Sequence, residues 1–440
     1  MSTALMLMCL CYVLWRPVSN GAILYPVLAL LAVLAVFKLI TGERSVSKLF
    51  ALAAYLLIIA GFITAIVGSV RGAPGLIQQA TLWFGSILIW GLWALSFTRD
   101  NIRITLGVIA IATACLSGLI VLYVGAQQGF LPGYVPDSVL NAQGAGFDLT
   151  QGGSAIRLYG LSTLAAAGPL VSSALFVGRD EYLPSRKLLA VAAVLAVLAA
   201  VVAGRRAIAA LTIVSPVLTY ILLYFMRPRT KVPWSRRRPL KWVLASPLLF
   251  VVSLVTVQSS LLDRPLSAVV DGFNLFFGSV SKSGGVKSVS DQLRQQQTQE
   301  LISAWGDHPF LGHGLGAVLP DGFVRSTDRP WMFELQYHDI LFTSGLLGAV
   351  LLLAVLISAW VGIRRAAAAN PEHVPAIVAT CVAALSMLIA NATNPYLQAV
   401  GHGWSIALVL GVANALLRPP RERDVAVARG TTVTTNPISR

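Results

Sequence analysis

The sequence predicts an all-α integral membrane protein with about twelve spanning helices, and three observations carry that prediction. Only 12% of the 440 residues are charged, about half the share of an average soluble domain. Mean hydropathy is +0.75, and apolar runs of about 20 residues recur, each long enough to cross a hydrocarbon core roughly 30 Å thick. The basic residues between those runs are biased to alternate connections. Backbone groups in lipid must pair within their own segment, so apolar runs of this length are helices.

Taken in order, the expected spans are 2–15, 21–41, 49–70, 75–97, 104–125, 158–178, 188–204, 207–226, 242–260, 337–363, 374–390 and 403–417. The first, "STALMLMCLCYVLW", has no basic residues ahead of it and reads as a short span, not a cleaved signal. The seventh and eighth are separated by little more than Arg205 and Arg206. Cys9, Cys11, Cys115 and Cys381 all fall inside apolar runs without ligand spacing, so they read as small core residues.

With the N-terminus in the cytoplasm, the even connections and the tail hold about 22 of the 33 lysines and arginines, as the positive-inside rule expects. Both termini are then cytoplasmic. Sorting by membrane side accounts for the net charge of +15 without a nucleic-acid partner. The chain divides into spans one to nine at 1–260, with an outer loop at about 126–157. A large, partly helical outer segment follows at 261–336, between the ninth and tenth spans. The last three spans occupy 337–418, and residues 419–440 form a polar tail expected to be disordered. A connection as long as 261–336 in a compact protein is functional or disordered, and Trp305, Phe310 and Leu311 argue for order.

Chemistry-bearing residues gather on the outer side. Arg205 and Arg206 interrupt "LAAVVAGRRAIAALTIV" against the positive-inside trend. They are either a short loop snorkelling to lipid phosphates or an anion site. Arg206 stands where helix N–H groups add positive potential, which suits a diphosphate. Arg294 in "SDQLRQQQTQE" and Arg157 before "LYGLSTLAAAGPLV" are loop and flanking arginines taken singly, and a phosphate clamp taken together. His338 opens the tenth span. It is either a satisfied structural histidine or a neutral imidazole placed to accept a hydroxyl proton, with Asp339 or Glu334 to orient it. "GHGLG", with Gly312, Gly314 and Gly316, permits a tight turn and lacks the Gly-Lys-Ser/Thr of a phosphate-binding loop. The chain has no nucleotide-binding motif, no H-E-x-x-H, no C-x-x-C and no outer D-x-D, so neither ATP, a metal nor another cofactor is expected.

Four stretches resemble the O-antigen ligase/polymerase superfamily. "RLYGL" at 157–161 is similar to its Arg-x-x-Gly, without the usual Pro-Asn. "GRRAIAAL" resembles its Ser-Arg motif, with Arg206 at the arginine and Arg205 replacing the serine. "RQQQTQELISAWGDHPFLGHGLGA" resembles an arginine, a helical stretch and His-Pro-hydrophobic-x-Gly-x-Gly. There Arg294 takes the arginine position, and His308, Pro309, Gly312, Gly314 and Gly316 the rest. "QYHDILFTSGLLG" resembles its His-Asn run, with Asp339 replacing Asn. Length and layout are most similar to O-antigen ligases.

The resemblance implies a GT-C-like fold in the bacterial inner membrane, facing the periplasm. It implies transfer of a glycan from undecaprenyl diphosphate to the lipid A–core oligosaccharide, inverting and without metal or nucleotide. Arg206 and Arg294 would hold the diphosphate with Arg205 and Arg157 beside them, and His338 would be the general base. Asp339, Glu334, Gly312, Gly314 and Gly316 would support them. Membrane lipids are the remaining partners. An O-antigen polymerase and a protein O-oligosaccharyltransferase use the same chemistry on other acceptors. A lipid-linked glycan flippase is the alternative of another class, disfavoured because the embedded arginines cluster on one side.

Overall fold

The computed structural model describes residues 2–18, 22–41, 46–127, 131–148, 155–203, 205–226, 289–319 and 327–418. The expected span at 242–260, much of the 261–336 segment and the 419–440 tail lie outside these residues. The described chain runs α1 (Ser2–Trp15), α2 (Leu24–Thr41), α3 (Lys48–Val70), α4 (Leu76–Leu95), α5 (Arg99–Gln127) and α6 (Asp137–Ala142). It continues with α7 (Leu164–Phe176), α8 (Arg186–Val202), α9 (Arg206–Met226), α10 (Val289–Asp307), α11 (Gln336–Ala369), α12 (Val374–Ala390) and α13 (Trp404–Leu417).

Among the described residues, eight segments are long and apolar enough to cross a membrane, which makes this a multi-pass membrane protein. Helices α1, at 14 residues, and α8, at 17, are shorter than those eight. Helix α4 is long enough but carries Gln78, Gln79, Thr81 and Ser86. Among the described residues the structure is all-helical, as expected, apart from one short strand pair. The connection after α6 pairs β1 (Gly146–Asp148) antiparallel with β2 (Ala155–Arg157), because a connection leaving the helices must find partners for its backbone groups.

Small residues set the packing. Helix α7 is rich in Ala, Gly and Ser and α12 in Ala, with a Thr, a Cys and a Ser, and both are buried along nearly their whole length. In lipid, close approach and dispersion contacts replace the hydrophobic drive, so small side chains hold helices together. Gly168 of α7 meets Thr212 of α9, and Thr219 of α9 donates to Ser173 of α7 (2.7 Å). Pro216 cannot donate to the Thr212 carbonyl four residues back, and Ser215 Oγ donates there instead (2.7 Å).

The connections sort to two ends of the bundle. At one end, Arg99 donates to Asn370 (3.0 Å), and Arg418 donates to the carbonyls of Phe97 (3.0 Å) and Leu95 (2.9 Å). There the buried Asp180 also accepts from the Ala376 N–H (3.1 Å) at the start of α12. At the other end Thr163 donates to the Leu14 carbonyl (2.6 Å), Pro17 packs on Gly401, and His402 Nε2 pairs with Ser162 Oγ (2.8 Å).

Helix α11 is broken at Gly345, where φ is +61°. The break leaves carbonyls and N–H groups without helical partners, a costly state inside a membrane protein. The glycine turn of 312–316 supplies them. His313 and Gly314 donate to the Phe342 and Thr343 carbonyls (2.7 and 2.8 Å). Leu346 and Leu347 donate back to those of Pro309 and Phe310 (2.8 and 3.0 Å). Gly312, Gly314 and Gly316 all have positive φ, and a Cβ on Gly314 would strike the Gly68 backbone of α3. Gly314→Ala is therefore expected to destabilise the protein by about 1–3 kcal/mol from the dihedral alone. Gly306→Ala, in α10 with open space around it, should be neutral or stabilising by up to about 1 kcal/mol. Thermal unfolding of both variants in detergent, with transition temperatures moving the same way, would refute this account.

Candidate active site

Arg205 and Arg206 stand where α8 turns into α9. The Arg205 N–H donates to Ala200 O (3.0 Å) and its carbonyl accepts from the Ala209 N–H (3.0 Å), so Arg205 caps α9 and Arg206 is its first residue. The Arg205 side chain lines a cavity of about 450 Å³ with Tyr159, Ser162, Asn394 and Tyr396. The side chains of Arg206 and Arg157 lie outside the described residues.

Arg294 projects from α10, and its Nε donates to Glu334 Oε2 at 2.9 Å in a partly buried ion pair. One turn along, Gln297 is buried and its Oε1 accepts the Glu334 and Leu335 N–H groups (both 3.1 Å). Leu301 and Ala304 of α10 pack with Phe333 and Phe342 beneath these bonds. Helix α10 thus clamps the residues that lead into α11.

His338 lies in the first turn of α11, half-buried, and its buried Nδ1 has no hydrogen-bond partner among the described residues. Among the described residues, no hydrogen bond joins His338 to Asp339 or Glu334. Successive helical residues point about 100° apart and do not face each other. Asp339 Oδ2 instead accepts from Gln336 Nε2 and Gln398 Nε2 (both 3.2 Å), and Glu334 pairs with Arg294. Among the described residues no hydrogen bond or ion pair joins His338 to Arg205 or Arg294.

The residue that does relate the two arginines is Tyr396, in the turn between α12 and α13. Burial raises its phenol pKa above the ordinary value, and the charges of Arg205 and Arg294 both oppose that rise. Two arginines from distant segments therefore share one electrostatic neighbourhood. The same turn reaches α11, because Gln398 also donates to the Phe333 carbonyl (3.4 Å). Sequence reasoning missed Tyr396, Gln398, Gln297, Ser162 and His402. The available signal was "NATNPYLQ", a polar stretch between two apolar runs on the same side as the arginines.

Residues 191–353 match the family model described as O-Antigen ligase. That match supports a place in the O-antigen ligase/polymerase superfamily. The matched O-antigen ligase region includes Arg205, Arg206, Arg294, Glu334, the glycine turn and His338, while Arg157 and Tyr396 fall outside it. That family implies glycosyltransferase-type activity on a lipid-linked glycan and a lipid acceptor in general. No curated protein matches the chain.

Proposed function

We propose that this protein is an O-antigen ligase of the bacterial inner membrane, moving a glycan from undecaprenyl diphosphate to a sugar hydroxyl of lipid A–core at the periplasmic face. The observation that carries this reading is the O-antigen ligase family match over residues 191–353, which contains Arg205, lining a cavity with Tyr396 at one end of a helical bundle. The positive-inside bias supports placing that end outside the cytoplasm.

The donor is already activated, so the chemistry asks for three things. Arginines at 205, 206 and 294, with Arg157 a weaker fourth, hold the diphosphate and stabilise its charge as the bond to the sugar breaks. The acceptor hydroxyl attacks the anomeric carbon opposite the diphosphate, which inverts that centre. His338 takes the hydroxyl proton. No nucleotide or metal enters these steps.

The test is transfer by purified protein in liposomes, given undecaprenyl-diphosphate glycan and rough lipopolysaccharide, with EDTA and without nucleotide. A ladder on the lipopolysaccharide is the expected product. Elongation of the polyprenyl-linked glycan in its place would make the protein a polymerase. Donor crossing the bilayer with neither product would make it a flippase.

A further inference from the structure

We infer that the cavity beside Arg205 is a monosaccharide subsite that receives the diphosphate-proximal sugar of the lipid-linked donor, an inference that rests on the proposed function. Its volume of about 450 Å³ lies in the range of small-molecule pockets and leaves room for one or two sugar rings, not a long glycan.

The lining matches a sugar better than either neighbouring part of the donor. Tyr159 and Tyr396 supply aromatic surface, on which the C–H face of a pyranose packs. Asn394 supplies hydrogen-bonding groups for its hydroxyl edge, while Ser162 Oγ is already held by His402 Nε2 (2.8 Å) and the Tyr159 carbonyl (3.1 Å). Asn394 has capacity to spare. Its amide offers two donors and one acceptor, and among the described residues its one side-chain bond is a long one to Thr393 (3.4 Å).

Tyr159 is held in place. The Arg16 guanidinium lies 5.3 Å from its ring centroid, and Gly144, at φ +58°, sits where a Cβ would strike the ring. Arg205 is the cation in this lining, so the cavity cannot be the whole of a diphosphate site. Val18, Leu158, Leu161 and Ile208 also line the cavity, so a polyprenyl tail is the competing occupant that the sugar-bearing and bare probes separate. The aromatic faces and the spare amide of Asn394 favour one arrangement. The sugar occupies the cavity, and the diphosphate lies at the Arg205 side toward Arg294.

The experiment is equilibrium binding to the full-length protein in detergent. The probes are farnesyl diphosphate and farnesyl diphosphate carrying one hexose or one N-acetylhexosamine. At least one sugar-bearing probe is expected to bind about tenfold more tightly than the bare one, the size of one or two net hydrogen bonds. Asn394→Ala should remove most of that increment while leaving the bare-probe affinity within about twofold, because it removes no phosphate contact. Arg294→Ala should weaken every probe alike. Equal affinity of bare and sugar-bearing probes would overturn the subsite. So would loss of bare-probe binding in Asn394→Ala equal to the loss for the sugar-bearing probe. An intact increment in a protein that transfers no glycan would uphold the subsite and refute the ligase reading.

Discussion

His338→Ala is expected to lower glycan transfer by about 10²–10⁴-fold, the usual contribution of a positioned general base, with little change in donor affinity. The same geometry makes a second, sharper demand. In a hydrolase triad the carboxylate behind the histidine orients it, and removing that partner costs about 10⁴-fold. Here the adjacent carboxylate is committed elsewhere, since Asp339 ties Gln336 to Gln398 and so joins α11 to the Tyr396 turn. Asp339→Asn keeps an oxygen that can accept from both glutamines. It should therefore reduce transfer by less than about tenfold, far below the triad figure. Single-turnover transfer, with donor binding measured separately, checks both variants. Full transfer by His338→Ala would remove it from the chemistry. A loss in Asp339→Asn as deep as in His338→Ala would restore the carboxylate as its partner.

The comparison of sequence with structure divides along a physical line. Helices were legible because lipid leaves the backbone one economical way to pair, and twenty apolar residues announce it. The start of α9 was legible for a related reason, as Arg205 and Arg206 interrupt an apolar run where charge is costly. The glycine turn was recognisable as a turn. Its partner was not, because the bonds from 313 and 314 to the broken α11 run between backbone groups that carry no residue signature. Gly345 in "TSGLLG" was the one mark of the break. At His338–Asp339 the helix turns sequence neighbours apart. Tyr396 and Gln398 were invisible for another reason. Their importance lies in which helix ends meet, and hydropathy does not encode that.

Arg294 should prove to be more than the partner of Glu334, and the two roles separate cleanly. The ion pair is partly exposed, with side chains 24% and 11% accessible, so its value to stability falls between surface and buried pairs, at about 1–3 kcal/mol. Arg294→Ala removes that partner and is expected to lower both the melting temperature and transfer. A purely structural arginine would be rescued by removing its partner. In that case Arg294→Ala/Glu334→Ala would recover stability and activity together, and Arg294→Lys would be nearly silent. A diphosphate ligand behaves differently. Lysine keeps the charge but loses the planar fork that matches phosphate oxygens, and losing a preorganised donor costs about 10²–10³-fold in transfer. The expected pattern is therefore Arg294→Lys stable but impaired, Glu334→Gln active, and the double variant more stable than Arg294→Ala yet still defective in transfer. Recovery of full transfer in the double variant would assign Arg294 to the scaffold and leave the diphosphate to the arginines at the start of α9.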